Sequence, residues 1–414
     1  MANSDTEVVI IGGGAAGIAA GRRLAKAAIN CLVVEARPRL GGRSHTVIDR
    51  SGFALDLGCG WLHSADRNPW VAVAQAQGHT VDMSLPPWKR PTMPNGFPPA
   101  EQAEFDKALR AYFDRVGEAA AKEPDVAAAA GLEPGCRWNN LIGAVTTYIS
   151  GAEPERVSAR DFDNYAGNDV NWRVTEGYGT TIASHGEGLA VMLDCPVLQI
   201  DHSGRRLKIE TAKGIITADR AIVTLPTAVL ADKEFLFSPA LPEKTEAARS
   251  LPLGLADKLI LSLESAEEFE TDTRAFGRTD RTTTATYQFR PLGRPLIEVY
   301  FGGRLPAELE TGGKAAFFDF AVSELTGLFG ADFARRVKPL HVHCWASDPF
   351  AGGSYSYALP GKADCRVKLA AAVDDRLFFA GEACSKNDFS TAHGAYLTGV
   401  AAAEQAIAAR QRKR

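Results

Sequence analysis

The chain has 414 residues, 45% of them hydrophobic and 23% charged, the balance of a globular protein with room for two domains. Its 46 basic and 50 acidic side chains leave a formal net charge of -4, which excludes the basic bias of a nucleic-acid binder or of a protein drawn to anionic membranes. No run reaches the ~20 apolar residues of a spanning helix, and the seven cysteines contain no Cys-x-x-Cys pair, so no metal site is expected and reduced thiols in a cytoplasm fit best.

The polar stretch Met1–Glu7 leads straight into Val8–Ile11, without the pattern of a signal peptide. Val8–Ile11 is short, β-branched and bounded by glycines, and reads as a buried strand. A helix over Ala15–Ala28 and a strand over Cys31–Val34 follow, making a β-turn-α-β unit. Prolines 86, 87, 91, 94, 98 and 99 exclude regular structure there and predict a loop leading into a different domain. Glu101–Lys122 has helical composition, and Ala127–Ala130 reads as a helix end. Val197–Ile200, Leu207–Thr211 and Ala221–Thr224 read as strands, and Leu259–Leu263 and Leu296–Phe301 as strands of a second sheet. Phe317–Phe329 is expected to be a helix, Leu377–Ala380 a buried parallel-type strand, and His393–Ala408 the closing helix, with basic Arg410–Arg414 as its solvated end. Nucleotide-domain signals thus stand at both ends and in the middle, which implies interleaved domains.

Gly12-x-Gly14-x-x-Gly17 follows the first strand and opens the helix. The first glycine allows a tight turn, the second lets backbone approach a pyrophosphate, and the third lets helix and strand pack closely. Free N–H groups and the positive dipole end then face the phosphates. Glu35, ending the second strand, is placed to accept hydrogen bonds from ribose hydroxyls. A second glycine pair, Arg39-x-Gly41-Gly42-Arg43-x-x-Thr46, follows at once. Arginine forks suit phosphate oxygens, and a nicotinamide domain has no need of a second phosphate loop there, so FAD is the expected dinucleotide.

In these motifs the sequence resembles the flavin amine oxidase family, which includes monoamine oxidases, polyamine oxidases and lysine-specific histone demethylases. The pattern is most similar to bacterial polyamine-oxidase-like members. The resemblance rests on an ordered set: Val8–Gly17 with Glu35, Arg39–Thr46, Asp56-x-Gly58-x-Gly60-Trp61-x-His63, Ile222–Pro226, Lys258, Trp345–Tyr357, Leu377–Glu382 and His393–Gly399. It implies an α/β fold in which a Rossmann-type, glutathione-reductase-like FAD domain (residues 1–85, 190–250 and 346–414) interleaves with an α+β substrate domain on a mixed sheet (residues 86–189 and 251–345). It further implies that FAD contacts Gly12, Gly14, Ala15, Ala16, Gly17, Glu35, Ala36 and Arg37, then Gly41, Gly42, Arg43, Gly58, Gly60 and Trp61. Val197 would meet the adenine through its backbone. Gly381, Glu382, Thr391 and Ala392 would complete the site, with the helix opening near Gly394 aimed at the flavin.

On the reacting side, the resemblance gives Lys258 the family's lysine, bridged by water to the flavin, and Tyr355 the role of cage tyrosine. Trp345 and His63 join them, His63 as a group able to share a proton with an amine. Monoamine oxidases carry a cysteine before the cage tyrosine that bonds to the flavin; Ser354 stands here, so FAD is expected to be noncovalent. A second cage tyrosine is replaced by Thr391, leaving the cage open on one side. Asp169, Asn171, Trp172, Glu176 and Tyr178 are expected to line the cavity, acids among them holding a remote cationic nitrogen. The implied activity is oxidation of a small-molecule polyamine or alkylamine, with O2 reduced to H2O2. A desaturase or dehydrogenase on the same fold is an alternative, as is an amino-acid oxidase using Arg173 or Arg290 for the carboxylate, and a noncatalytic scaffold is a third. Histone demethylation is not expected, because no tower-like insertion is present. Monomer and homodimer both stay open.

Overall fold

The computed structural model describes residues 4–232 and 235–412; the start of the polar N-terminus (1–3) and the end of the basic tail (413–414) lie outside the described residues. Val8 to Ile11 are apolar at every position and at most 2% exposed, as a strand covered on both faces requires. They belong to β1 (Ser4–Ile11), followed by the helix Ala15–Lys26 and β2 (Cys31–Val34). Further along the chain come β3 (Val191–Met192), β4 (Val197–Asp201), β5 (Leu207–Thr211), β6 (Gly214–Val223) and β7 (Phe237–Ser238). The spatial order is β7-β4-β5-β6-β1-β2-β3. The contacts of β1 with β2 and β6 are parallel, and β4-β5-β6 is antiparallel. Alternate residues split between the two faces: Ile10, Val33 and Ile222 pack under the first and last helices, while Val9, Ile11, Val34 and Val223 pack on the other side.

The second sheet holds β8 (Ala256–Leu263), β9 (Thr273–Phe276), β10 (Thr286–Phe289), β11 (Leu296–Gly302) and β12 (Val337–His343), in the order β9-β10-β11-β8-β12, all antiparallel. One face carries Leu259, Leu261, Tyr287, Val299 and Phe301, which pack with Phe317, Ala321 and Leu325 of the helix Lys314–Phe329. On the opposite face Ile260 and Leu296 pack on Leu55 and Leu57, and the rest lines a cavity. Finally β13 (Leu377–Phe379) returns to the first sheet, parallel to the end of β6, and the helix Ala392–Arg412 closes the chain. That helix lies so close to the first that a Cβ on Gly399 would stand 2.1 Å from the Ala16 carbonyl oxygen.

Several expectations need correction. The first helix ends at Lys26, because Ala28 turns to φ 53. The proline-rich loop contains a 3-10 turn at Pro87–Lys89, and the next helix begins at Pro99, where a missing N–H costs nothing. Ala127–Ala130 is not a helix end but leads into a separate 3-10 turn, Ala128–Gly131. The last helix starts at Ala392 and runs to Arg412. Strands β9, β10, β12 and the short strand Asn171–Val174 were not expected. Asn171–Val174 pairs with both Leu62–His63 and Val81–Asp82, and Leu253–Gly254 pairs with Tyr355–Ser356; these small pairings carry His63 and Tyr355.

Candidate active site

The glycines make the first part of the site. Gly12 has φ +110, and a Cβ there would lie 2.4 Å from Thr224 Oγ1. A Cβ on Gly17 would lie 1.9 Å from the Gly12 carbonyl oxygen, so only glycine permits this helix to start so close to β1. The second glycine loop lies beside the first: Gly41 N donates to Gly13 O at 2.9 Å, and a Cβ on Gly42 would meet Gly14 Cα at 3.1 Å. Glu35 is buried and accepts from Gly13 N at 2.7 Å and Arg37 N at 2.8 Å. It therefore braces the loop while lining the cavity. Arg37 pairs with Asp348 at 2.7 Å and Arg43 with Glu382 at 2.9 Å.

Both loops open into one cavity of about 1050 Å³, at the upper end of ordinary ligand sites at roughly 300–1,000 Å³. Among the expected cofactor residues only Gly17 does not line it; Gly12, Gly14, Ala15, Ala16, Glu35, Ala36, Arg37, Gly41, Gly42, Arg43, Gly58, Gly60, Trp61, Val197, Gly381, Glu382, Thr391 and Ala392 all do. Gly17 acts through packing instead. An elongated dinucleotide fits this donor set: two bare glycine turns, a helix N-terminus and an acid at the end of β2.

Glu382 accepts from Ser356 Oγ at 2.6 Å and from Ser390 N at 3.0 Å besides Arg43. Burial alone would raise its pKa, but Arg43 and Ser356 overcome that and hold it below the ordinary carboxylate value. Behind it, fully buried Arg366 donates to Asp161 at 2.6 and 2.8 Å and to Ser356 Oγ at 2.9 Å. Thr391 is the N-cap of the last helix: it accepts from Gly394 N at 3.0 Å and donates to Asp388 O at 2.6 Å.

The cavity continues to Lys258, Tyr355, Trp345, His63 and Thr391. Lys258 Nζ donates to Asp56 O at 3.0 Å and pairs with Glu298 at 3.1 Å. Burial would lower its pKa, but Glu298 and then Asp56 reverse this and leave it above the ordinary value, so the amine is an ammonium at neutral pH. Gly60 admits it, since a Cβ there would sit 3.2 Å from Nζ. Trp345 is 2% exposed, and its Nε1 donates to Leu57 O at 3.2 Å. Tyr355 Oη donates to Tyr148 O at 2.7 Å, which leaves Tyr300 Oη as donor across the 2.9 Å contact between the two phenols. His63 is held by Asn171 Oδ1 at 2.7 Å; burial lowers its pKa, so at neutral pH the ring is uncharged. Ser354 Oγ is taken up by the Ala256 backbone at 2.8 and 2.9 Å.

Asp169 and Asn171 line the cavity, but Trp172, Glu176 and Tyr178 do not. Tyr178 is core, 1% exposed, and Glu176 caps Thr80 N at 2.9 Å. Arg173 is spent on Asp82 and Asp272 at 2.6 and 2.7 Å, and Arg290 donates to Phe269 O; neither reaches the cavity. Residues missed from sequence are Tyr300, Glu298, Trp88, Tyr148 and Arg274, all lining. Trp88, in the proline-rich loop, packs edge-on to Trp61 with ring centroids 4.5 Å apart. The alternation Glu298-x-Tyr300 opposite Lys258 was the available signal for two of them.

A family profile for flavin containing amine oxidoreductases matches residues 147–407, and one for NAD(P)-binding Rossmann-like domains matches residues 10–75. Polyamine oxidase 3 of Oryza sativa subsp. japonica is 30% identical, over 96% of this chain and 88% of that protein. Polyamine oxidase 2 of Arabidopsis thaliana is 30% identical, over 98% and 88%. An engineered putrescine oxidase, solved in a redesign of its cofactor binding, shares the fold at TM-score 0.79 and 16% identity, over 98% of this chain and 100% of that one. The chain belongs to the family of flavin containing amine oxidoreductases, and is a flavin-dependent oxidoreductase acting on amines.

Proposed function

We propose that the chain binds FAD noncovalently and oxidises a polyamine or a primary or secondary alkylamine. The reading rests above all on one continuous cavity lined by the glycine loops and by Lys258 and Tyr355. In this proposal residues 1–85, 190–250 and 346–414 form the FAD-binding domain, and residues 86–189 and 251–345 the substrate domain. Bound FAD supplies a two-electron acceptor at N5 for hydride from the carbon next to nitrogen. Glu35, Arg43 and Glu382 anchor the dinucleotide, and Val197 meets its adenine end. Tyr355 and Trp345 wall the amine, with the Tyr355 phenol pinned by Tyr148 and Tyr300 so that its ring cannot turn away. Lys258 holds a water at the reacting end, aided by its fixed ammonium. Uncharged His63 offers a ring nitrogen that accepts a hydrogen bond from the substrate nitrogen. Ser354 offers no thiol for a covalent link. The imine product hydrolyses to an aldehyde and a smaller amine, and O2 takes up the electrons as H2O2, in a cytoplasmic setting.

The relatives named polyamine oxidases support the amine class, and no helix among the described residues is long and apolar enough to cross a membrane. Anaerobic stopped-flow with a panel of polyamines and alkylamines tests the proposal. Bleaching of the yellow flavin by at least one amine, followed by peroxide on admitting air, is expected. A flavin that stays oxidised across the panel refutes it.

A further inference from the structure

Three arginines line the cavity. Arg37 and Arg43 are each paired with acids. Arg274, on β9, is not. Of the five donors a guanidinium offers, its protein partner is Thr92 Oγ1, reached by Nη2 at 3.1 Å. Its Nε is buried without a partner. No carboxylate of the described residues forms an ion pair with it. The groups that face it are Thr92, Tyr148, the Phe276 ring at 4.8 Å and the exposed Asp106 at the rim. Nearby Asp272 is already saturated by Arg173 and Gln288. Burial pushes the Arg274 pKa down to about 10, which marks a cation short of counter-charge.

The sheet register fixes where this cation stands. Lys258, Tyr300, Thr286 and Phe276 form one row across β8, β11, β10 and β9; Glu298, Gln288 and Arg274 form the next row on the same face. Arg274 therefore lies three strand steps from Lys258, each about 4.8 Å, on one wall of the same cavity. Its guanidinium bonds Thr92, which bridges the outer edge of β9, so the side chain does not close the gap to Lys258 and a ligand reaching both needs a long spacer. Its backbone is fixed too, since Met93 N donates to Arg274 O at 2.7 Å from the proline-rich loop.

We propose that Arg274 recognises a carboxylate at the remote end of the substrate, so that the preferred amine is an ω-amino carboxylate with a long apolar spacer. This rests on the amine-oxidase reading and narrows its substrate class. A planar fork with unused N–H groups in a partly closed cavity is matched by carboxylate geometry. Arg274 is half-buried with an unsatisfied Nε, and a bound carboxylate supplies the acceptor oxygens its fork lacks. A polyamine tail, by contrast, brings a second cation toward Arg274.

Isothermal calorimetry on the flavin-loaded protein with octanoate and octanamide reads the site without turnover. Octanoate is expected to bind on the order of ten- to a hundredfold more tightly than octanamide, the preference to vanish in Arg274→Met and to persist in part in Arg274→Lys. Stopped-flow with N-methyl ω-aminooctanoate, its amide and N-methyloctylamine reads the same preference in flavin reduction. Equal binding of octanoate and octanamide by the unmodified protein overturns the inference, as does a preference that survives Arg274→Met. If Arg274→Met fails to fold, the ligand pair on the unmodified protein and on Arg274→Lys still decides. N-methyloctylamine that bleaches the flavin while octanoate gains nothing sinks this inference alone; octanoate preference without bleaching by any amine sinks the oxidase reading alone.

Discussion

Replacing Arg366 by Met should destabilise the protein by about 3–5 kcal/mol, the usual cost of removing one partner from a buried ion pair. Little discount for solvent applies, because the side chains of Arg366 and Asp161 are each 1% exposed. The variant loses both bonds to Asp161 and the bond to Ser356 Oγ, together with longer contacts to Ala383 O and Ser356 O at 3.3 Å. Asp161 keeps only the Ala358 N–H, at 2.9 Å, as a side-chain partner. Summing charge-assisted hydrogen bonds one by one would give more, but methionine recovers part of the packing. Ser356 is shared with Glu382, so the damage reaches the cavity: flavin retention on desalting should fall as well. Urea denaturation of Arg366→Met, Asp161→Leu and the double variant separates the terms, and the double variant should lie closer to the unmodified protein than the sum of the two. A loss below about 1 kcal/mol in Arg366→Met, or additive single effects, would refute the claim that this pair ties the helical segment to the cofactor end.

Lys258→Met should keep its flavin but slow reduction, reoxidation or both by on the order of tenfold or more; unchanged stopped-flow traces would dismiss the role given to Lys258. Asp257 is fully buried, and burial, then the neighbouring Glu310, push its pKa up to about 9. A raised acid pKa contributes stability that is fully present below the unfolded value of 3.8 and is lost as pH rises toward 9. Asp257→Asn should therefore raise the thermal midpoint more at pH 8 than at pH 4, and a gain independent of pH would contradict the argument. Thr391→Ala removes an N-cap and should cost about 1 kcal/mol by denaturant titration; no change would mean that Gly394 N finds another acceptor.

The β-turn-α-β opening was legible because each of its signals is local: the apolar run Val8–Ile11, the glycine spacing and Glu35 at a strand end. Nearly all the cofactor residues read from those motifs line one cavity. What sequence could not show was pairing between distant segments. Thr273–Phe276 and Thr286–Phe289 are too short and too mixed to announce strands on their own; Thr286–Phe289 is a strand because β11 supplies a partner edge, and Thr273–Phe276 because β10 then does. With β9 unseen, Arg274 was one arginine among many, and Arg173, in a polar segment near the cavity, drew the attention instead. Its two acid partners, Asp82 and Asp272, come from opposite sides in the chain, a pairing no local pattern reveals. Trp172 is explained in a related way: the strand Asn171–Val174 alternates, so Asn171 faces the cavity while Trp172 packs on the core; beyond that strand, Glu176 is taken up by Thr80 N and Tyr178 by the core.

The same alternation orders the reacting end. On β8 and β11 the odd-numbered residues Leu259, Leu261, Val299 and Phe301 build the core under the helix Lys314–Phe329, which commits the even-numbered Lys258, Glu298 and Tyr300 to the cavity. A one-residue slip of β11 would bury Glu298 and Tyr300 among phenylalanines, so the packing of Phe317 and Phe301, ring centroids 5.2 Å apart, also sets the register of the Lys258–Glu298 pair. Charge on this wall is then graded by row and strand. Lys258 has its acid paired beside it, whereas Arg274, at the far edge, forms no ion pair among the described residues and has only the exposed Asp106 near it. A small amine with one cationic centre needs only the first of these. The second is matched by a ligand chain whose far end carries a negative charge.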